Sequence, residues 1–241
     1  MKSRIEKDSW ILTRPIAHRG FHGESAPENS AEAFKRAIVN NYPIETDLQI
    51  TKDGNIVCFH DDNAERMTGE KRLLSEMTVE EIKNLRLDGT EEQILTFGEF
   101  LNLVEGRVPL MIEIKTQKRY KELAYKAIKM LEGYNGEFAV QSFDPRIMSE
   151  VRKLAPDIIR GQLITKTKHE NVSYLTYKIL GNGLLNFLSK PDFINMELKY
   201  IPVPKRIRGR ADVICWTVRS KEDLEKAEKY GYNCIFENMR I

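Results

Sequence analysis

Short apolar runs alternate along this chain with longer stretches of helical period. The runs Pro15–His18, Pro43–Ile50, Ile56–His60, Val108–Glu113, Phe138–Ser142, Ile159–Ile164, Phe193–Met196, Val213–Thr217 and Asn233–Phe236 read as strands. Strands covered on both faces produce runs of this continuous apolar kind. Helix signals fall between them. Asn29 with Glu32 three positions on predicts a helix start, with Ala33, Phe34, Ala37 and Ile38 on one face. Thr78 with Glu81, and Thr96 with Glu99, read as capping boxes. Tyr120–Leu131 is strongly helical. Asp144-Pro145 is a cap followed by proline at the first helical position, ahead of Ile147, Val151 and Leu154. Ser220 with Asp223 opens a last helix that is expected to run through Tyr230.

This βαβα rhythm predicts an α/β protein with a parallel sheet and helices outside. With Pro43–His60 counted as one arm, the runs make eight βα units in 241 residues, the size of a (β/α)8 TIM barrel formed by a single domain over 1–241. A doubly wound open sheet competes, but Gly20-Phe21-His22-Gly23 does not match the glycine-rich turn that fold usually shows. Asp61–Thr96 is longer than a simple connection and predicts a small insertion, at about 61–96, with its own helix over Thr78–Leu85. Tyr174–Leu188 carries Leu175, Ile179, Leu184, Leu185, Phe187 and Leu188, and predicts a core-facing helix broken at Gly181-Asn182-Gly183.

Composition narrows the function classes. The 38 basic and 36 acidic residues leave a net charge of +2 with no long block of one sign, so there is no nucleic-acid footprint. An anionic ligand would need a local site. Cys58, Cys215 and Cys234 each sit in a strand-like run, which predicts buried thiols rather than disulfides or zinc ligands. The opening Met1-Lys2-Ser3-Arg4-Ile5-Glu6-Lys7-Asp8 is charged and unlike a signal peptide, and no run is long enough to span a membrane. The cytoplasm is the expected compartment; oligomeric state stays open.

Candidate chemistry clusters early in the chain. Two of only four histidines, His18 and His60, end strand-like runs. Glu45 and Asp47 lie two apart on a strand and so share a face, and Glu113 and Lys115 repeat the spacing. In a barrel, chemistry sits at the C-terminal ends of strands, where three converging carboxylates would suit Mg²⁺ or Ca²⁺. A half-exposed edge strand or a plain Glu113–Lys115 salt bridge would explain the same spacing. Asp53-Gly54 favours a two-residue hairpin turn. That turn would pair Lys52 with Asn55 and bring Asp47 opposite His60, a register that a longer loop would change. Arg19 offers a fork for phosphate oxygens, and Gly20 permits positive φ. His22 and His169 read as surface residues, with His22 near enough to reach the site.

Taken together, His18-Arg19-Gly20, Pro27-Glu28-Asn29-Ser30, Ile44-Glu45-Thr46-Asp47-Leu48, Thr51-Lys52-Asp53-Gly54, Val57-Cys58-Phe59-His60-Asp61 and Glu113-Ile114-Lys115 resemble the glycerophosphodiester phosphodiesterase family. The resemblance runs from about Pro15 to the C-terminus and is densest over the first 120 residues. It implies a (β/α)8 barrel with a small insertion after the second strand. It implies metal-dependent hydrolysis of glycerophosphodiesters, such as glycerophosphocholine or glycerophosphoethanolamine, to sn-glycerol 3-phosphate and an alcohol. By the same resemblance His18 and His60 match an acid–base pair, and Glu45, Asp47 and Glu113 match ligands of one divalent cation (Mg²⁺ or Ca²⁺, with Mn²⁺ also open). Arg19 and Lys115 match phosphate contacts. Trp216 matches a pocket lining, against plain core packing, and Gln141 matches a polar neighbour. The attacking group it implies is the substrate's own glycerol C2 hydroxyl. The chain departs from the family where many members close strand eight with Thr-Asp-x-Pro, since here Glu237-Asn238-Met239 stands. No eighth helix follows, and Lys2–Ile11 is expected to cover that side. Two other classes compete. One is a lysophospholipase D-type or other phospholipid phosphodiesterase on the same barrel, with Tyr174–Leu188 as an acyl mouth. The other is a catalytically silent phosphate-binding module.

Overall fold

Each apolar run read as a strand is one: β1 (Ile16–Ala17), β2 (Ile44–Ile50), β3 (Ile56–Cys58), β4 (Leu110–Ile114), β5 (Phe138–Ser142), β6 (Arg160–Ile164), β7 (Phe193–Glu197), β8 (Asp212–Val218) and β9 (Asn233–Phe236). The computed structural model describes residues 4–167 and 173–241; His169 lies outside the described residues. The strands hydrogen-bond in the order β1-β9-β8-β7-β6-β5-β4-β2, and β1 also pairs with β2. Eight strands therefore close a parallel (β/α)8 barrel, and β3 is an antiparallel extra outside the ring. The helices, in chain order, are α1 (Trp10–Thr13), α2 (Ala31–Val39), α3 (Glu65–Thr68), α4 (Val79–Lys83), α5 (Phe97–Val104), α6 (Tyr120–Glu132), α7 (Pro145–Leu154), α8 (Tyr174–Gly181), α9 (Asn186–Ser189), α10 (Lys205–Arg208) and α11 (Lys221–Glu228). None is long and apolar enough to cross a membrane. Contacts group the chain into two compact units, Ile16–Phe138 and Met1–Pro15 with Ala139–Ile241.

In the Ile16–Phe138 unit, β2 is buried along its whole length and pairs in parallel with β4. Phe34 on α2 packs on Phe100 of α5 with ring centroids 4.5 Å apart. Both capping boxes form, Thr78 with Glu81 and Thr96 with Glu99. The helix over 31–39 is capped by Ser30, whose side chain accepts from the Ala33 N–H, and not by Asn29. Asn29 takes a left-handed φ of 56°, which turns its side chain to another task. The stretch 61–96 wraps α3, a 3-10 turn (Leu74–Glu76) and α4 around Val57, Phe59, Met67, Leu74, Met77 and Ile82.

The hairpin register differs by one from the expected one. Leu48 pairs with Cys58, Gln49 with Val57 and Ile50 with Ile56, which sets Phe59 and not His60 beside Asp47. A two-residue type I′ turn needs positive φ at both Asp53 and Gly54. Only Gly54 has it (82°). The Asp53 carboxylate instead accepts from the Thr51 hydroxyl, the Asn55 amide and the Val79 N–H, so the loop lengthens and ties itself to α4.

In the other unit, β6 to β9 run parallel, with a register shift between Cys215 and Val218 where β8 pairs with β9. Asn233 Nδ2 donates to the carbonyls of Ile11 and Arg14, and α1 lies against β8 and β9 with Trp10 and Ile11 buried. The described part of the N-terminal segment thus packs on β8 and β9, the side its sequence was expected to cover. Cys58, Cys215 and Cys234 are buried free thiols. The expectation of a core-facing helix over 174–188 is overturned. The chain does break after Gly181, but α8 buries only Gly181, and Tyr174, Leu175, Leu184 and Phe187 face outward. Apolarity alone does not say which side a two-turn helix presents.

Candidate active site

Glu45 and Asp47 come from β2, and Glu113 is the register partner of Asp47 on β4. The three are 1%, 1% and 7% exposed, and one oxygen of each lies within 4.8 Å of the others. Three carboxylates cannot be held so close without a response from their protonation equilibria. Burial, together with the charges of Asp47 and Glu113, drives Glu45 well above the ordinary carboxylate range. Burial also raises Glu113, helped by Asp47 and opposed by Lys115. Asp47 goes the other way: burial is outweighed by Lys115, His60, Arg19 and His18, which hold it ionised. Lys115 Nζ stands 3.1 Å from Glu113 Oε1 and 3.4 Å from Asp47 Oδ1, and Arg19 Nε stands 3.3 Å from Asp47 Oδ2. The Glu113–Lys115 salt bridge thus exists, as part of the cluster and not in place of it.

The loop after β1 bends sharply over these acids. Arg19 and Gly20 have φ of 54° and 82°. A Cβ on Gly20 would come within 2.9 Å of the Ala33 backbone, so only glycine fits. The bend aims the Arg19 N–H at Glu45 Oε2 (3.0 Å) and leaves His18 Nε2 3.9 Å from the same oxygen. Asn29, also left-handed, donates through Nδ2 to Asp47 Oδ2 at 3.2 Å and accepts from the Thr46 hydroxyl at 2.7 Å.

His60 stands just past β3, with Nδ1 2.6 Å from Asp61 Oδ1. Asp61 Oδ2 accepts from Arg66 Nε at 2.6 Å, Arg66 reaches Glu28 at 2.5 Å, and Glu28 accepts from Arg19 at 2.8 Å. A chain of alternating charges therefore links His60 to the guanidinium beside Asp47. Burial alone would raise Glu28 and Asp61; their ion pairs outweigh it and hold both below the usual carboxylate range. The histidine side chains keep 12% (His18) and 33% (His60) exposure, so they border the closed acid cluster on its accessible side.

His18, Arg19, Glu45, Asp47, His60, Glu113 and Lys115 therefore all belong to the Ile16–Phe138 unit and interact there. Gln141 and Trp216 belong to the other unit, where Gln141 Oε1 accepts from Asn195 at 2.9 Å and Trp216 packs edge-on to Phe143. Glu28, Asn29 and Asp61 stood in the sequence motifs without a role at the site, and Arg66 was not singled out. The signal for Asn29 was its tolerance of left-handed backbone; the Glu28–Arg66 pair spans 38 residues and leaves no local trace.

The donor set also bears on a metal. Asp47 Oδ1 is buried and accepts no hydrogen bond among the described residues. An all-oxygen cluster with a vacant acceptor and two acids pushed toward the neutral form suits a hard divalent cation, which prefers carboxylate oxygens and would restore their charge.

Known proteins resemble this chain along most of its length. A family model described as the glycerophosphoryl diester phosphodiesterase family matches residues 18–239. A glycerophosphodiester phosphodiesterase of Caldanaerobacter subterraneus subsp. tengcongensis is 31% identical over 93% of this chain and 93% of its own. One from Bacillus altitudinis is 33% identical over 68% of this chain and 71% of its own. Among solved structures, an Oleispira antarctica phosphodiesterase in complex with the product sn-glycerol-3-phosphate superposes with a TM-score of 0.80 at 22% identity, covering 94% of this chain and 93% of that one. A Thermotoga maritima glycerophosphodiester phosphodiesterase gives 0.69 at 24%, with 92% of each chain covered.

Proposed function

This chain belongs to the glycerophosphoryl diester phosphodiesterase family and is a phosphoric diester hydrolase; from that premise we propose that it cleaves glycerophosphodiesters such as glycerophosphocholine and glycerophosphoethanolamine to sn-glycerol 3-phosphate and the free alcohol. The observation that carries the reading is the gathering of two accessible imidazoles, three buried acids and two cations in one unit. Glu45, Asp47 and Glu113 would hold one divalent cation, Mg²⁺ or Ca²⁺ with Mn²⁺ as a further choice. Such an ion, when bound, supplies charge for a non-bridging phosphate oxygen and orients the glycerol hydroxyls.

Arg19 and Lys115 lie beside these acids and offset the negative charge that grows on phosphorus-bound oxygens. His18 takes the proton of the glycerol C2 hydroxyl as its oxygen bonds to phosphorus. His60 gives its proton to the departing alcohol oxygen as that P–O bond breaks. Intramolecular attack gains from proximity, worth several kcal/mol. The cyclic phosphate then opens with the roles reversed: water loses a proton to His60, its oxygen bonds to phosphorus, and the C2 oxygen takes the proton from His18. Asp61 orients the His60 ring, and Glu28 and Arg66 brace both Asp61 and Arg19. Gln141 and Trp216 are the remaining candidates for substrate contact. Three buried free thiols suit the cytoplasm as compartment.

The test is purified protein with Mg²⁺, Ca²⁺ or Mn²⁺ against several glycerophosphodiesters and lysophosphatidylcholine, with the freed alcohol as the readout for every substrate and glycerol 3-phosphate as the second product of the water-soluble diesters. Release from the water-soluble diesters that is abolished by chelation is the expected result. Turnover of lysophosphatidylcholine alone would move the assignment to a lysophospholipase D-type activity.

A further inference from the structure

In the unit that does not hold the acid cluster, the segment 173–211 exposes both apolar and cationic side chains. Tyr174, Leu175, Leu184 and Phe187 are 60%, 68%, 61% and 66% exposed. They sit on α8, on α9 and in the turn between, and they are four of the ten large apolar side chains exposed among the described residues. Single exposed apolar residues need no explanation; four within fourteen residues of chain do.

Gly183 and Asn186, the chain neighbours of Leu184 and Phe187, line a groove of about 510 Å³ together with Asp192, Arg206, Arg208 and Arg210. Asn186 Nδ2 donates to the Ile207 carbonyl at 3.0 Å, so α9 and α10 are tied together. From Ser173 to Ala211 the chain carries seven lysines and arginines against two acids, a large local excess in a protein of net charge +2. Neither acid is free to answer them. Asp192 is buried against Arg160 and Arg4, and Glu197 accepts from Thr165 and Thr167. Lys190, Lys205, Arg206, Arg208 and Arg210 are exposed and make no ion pair or side-chain hydrogen bond among the described residues. Lys178 stands over the Tyr174 ring at 4.5 Å, keeping a charge at the rim of the apolar cluster.

Exposed aromatic and aliphatic tips in the same segment as unpaired cations are the chemistry that binds an interface of apolar depth and anionic surface. We infer that this face docks the protein on an anionic lipid bilayer, the apolar tips entering the headgroup–acyl boundary and the α10 arginines facing lipid phosphates. The inference does not depend on the catalytic reading, since none of these residues belongs to the acid–histidine cluster.

Vesicle flotation of the full chain tests it. The protein rises with mixed phosphatidylglycerol–phosphatidylcholine vesicles, stays behind with phosphatidylcholine alone, and is released by salt. Arg206→Gln with Arg208→Gln weakens partitioning roughly 25-fold, at about fivefold for each charge removed near an anionic surface. Leu184→Ser with Phe187→Ser also weakens it, and both variants keep the wild-type melting temperature and diester hydrolysis. No flotation with anionic vesicles, equal flotation with neutral ones, or flotation unchanged in both variants overturns the proposal. So does a dimer that Phe187→Ser converts to monomer in sedimentation velocity, because the face would then belong to a second copy.

Discussion

His18 and His60 are asked to move protons in opposite directions, and only their surroundings distinguish them. His60 is held by Asp61 at 2.6 Å, while His18 has the Glu45 oxygen 3.9 Å away. Replacing either by alanine is expected to lower kcat by about 10²–10⁴-fold with little change in KM, and the wild-type pH–rate profile should be bell-shaped. Either variant turning over near the wild-type rate would remove it from the mechanism. The acids make a second prediction at this scale. A carboxyl group whose folded-state pKa lies above its unfolded value is ionised at neutral pH only at a cost to folding. Burial raises Glu45 and Glu113 in this way, so the metal-free protein is strained by its own site. Glu45→Gln is therefore expected to melt higher than wild type in chelator. A saturating divalent ion should reverse that order, because wild type gains about 2.7 kcal/mol at a hundredfold excess over Kd and the variant gains far less. Differential scanning calorimetry with and without the ion reads both signs; a variant that melts lower in chelator would mean that Glu45 is satisfied without metal.

At the scale of elements, local chemistry set most boundaries and failed at one turn. The Thr78 and Thr96 boxes were readable because each needs only residues three apart. The hairpin was misread by one residue because Asp53 had a better use for its carboxylate than a type I′ turn, namely the Val79 N–H across the loop. No pattern within the hairpin discloses that partner. Asn29 was misread for a similar reason: next to Ser30, either residue could cap α2, and only the buried Asp47 decides which one turns inward. The α4 cap also gives a pH-dependent prediction. Hydrogen bonding from the Thr78 N–H, then from Arg72 and the Thr78 hydroxyl, lowers Glu81 to about 2. Its folded-state value lies below the unfolded one, so the contribution is whole above about pH 4.5 and is lost as pH falls toward 2. The stability gap between wild type and Glu81→Gln should be flat at neutral pH and close over that acid range. Thr78→Ala should cost about 1 kcal/mol. Urea titrations at several pH values would check this, and a gap independent of pH from 2 to 7 would show that the Glu81 charge has no part in the cap.

For the whole molecule, the barrel was legible because strands covered on both faces leave unbroken apolar runs, and eight such units counted correctly once β2 and β3 were taken as one arm. The outward face of α8 and α9 was not legible, since Leu184 and Phe187 have the same apolarity whether buried or exposed. The closing side was foreseen only in outline. A strand in a parallel ring needs cover on its outer face, and among the described residues no helix comes after β9 to supply it. The chain uses α1 instead, anchored by Asn233 on the Ile11 and Arg14 carbonyls and by buried Trp10. The cover lies in one unit and the acid–histidine cluster in the other, so stability and catalysis should separate. Trp10→Ala is expected to cost about 3–5 kcal/mol, as large aromatic truncations in a core do. Below the melting transition its kcat per folded molecule should stay within about twofold of wild type, because no group that touches the phosphate has moved. Paired urea titration and initial-rate measurement decide the matter. A stability loss under 1 kcal/mol would demote α1 from cover to decoration, and a kcat that falls with stability intact would couple the N-terminal segment to the chemistry itself.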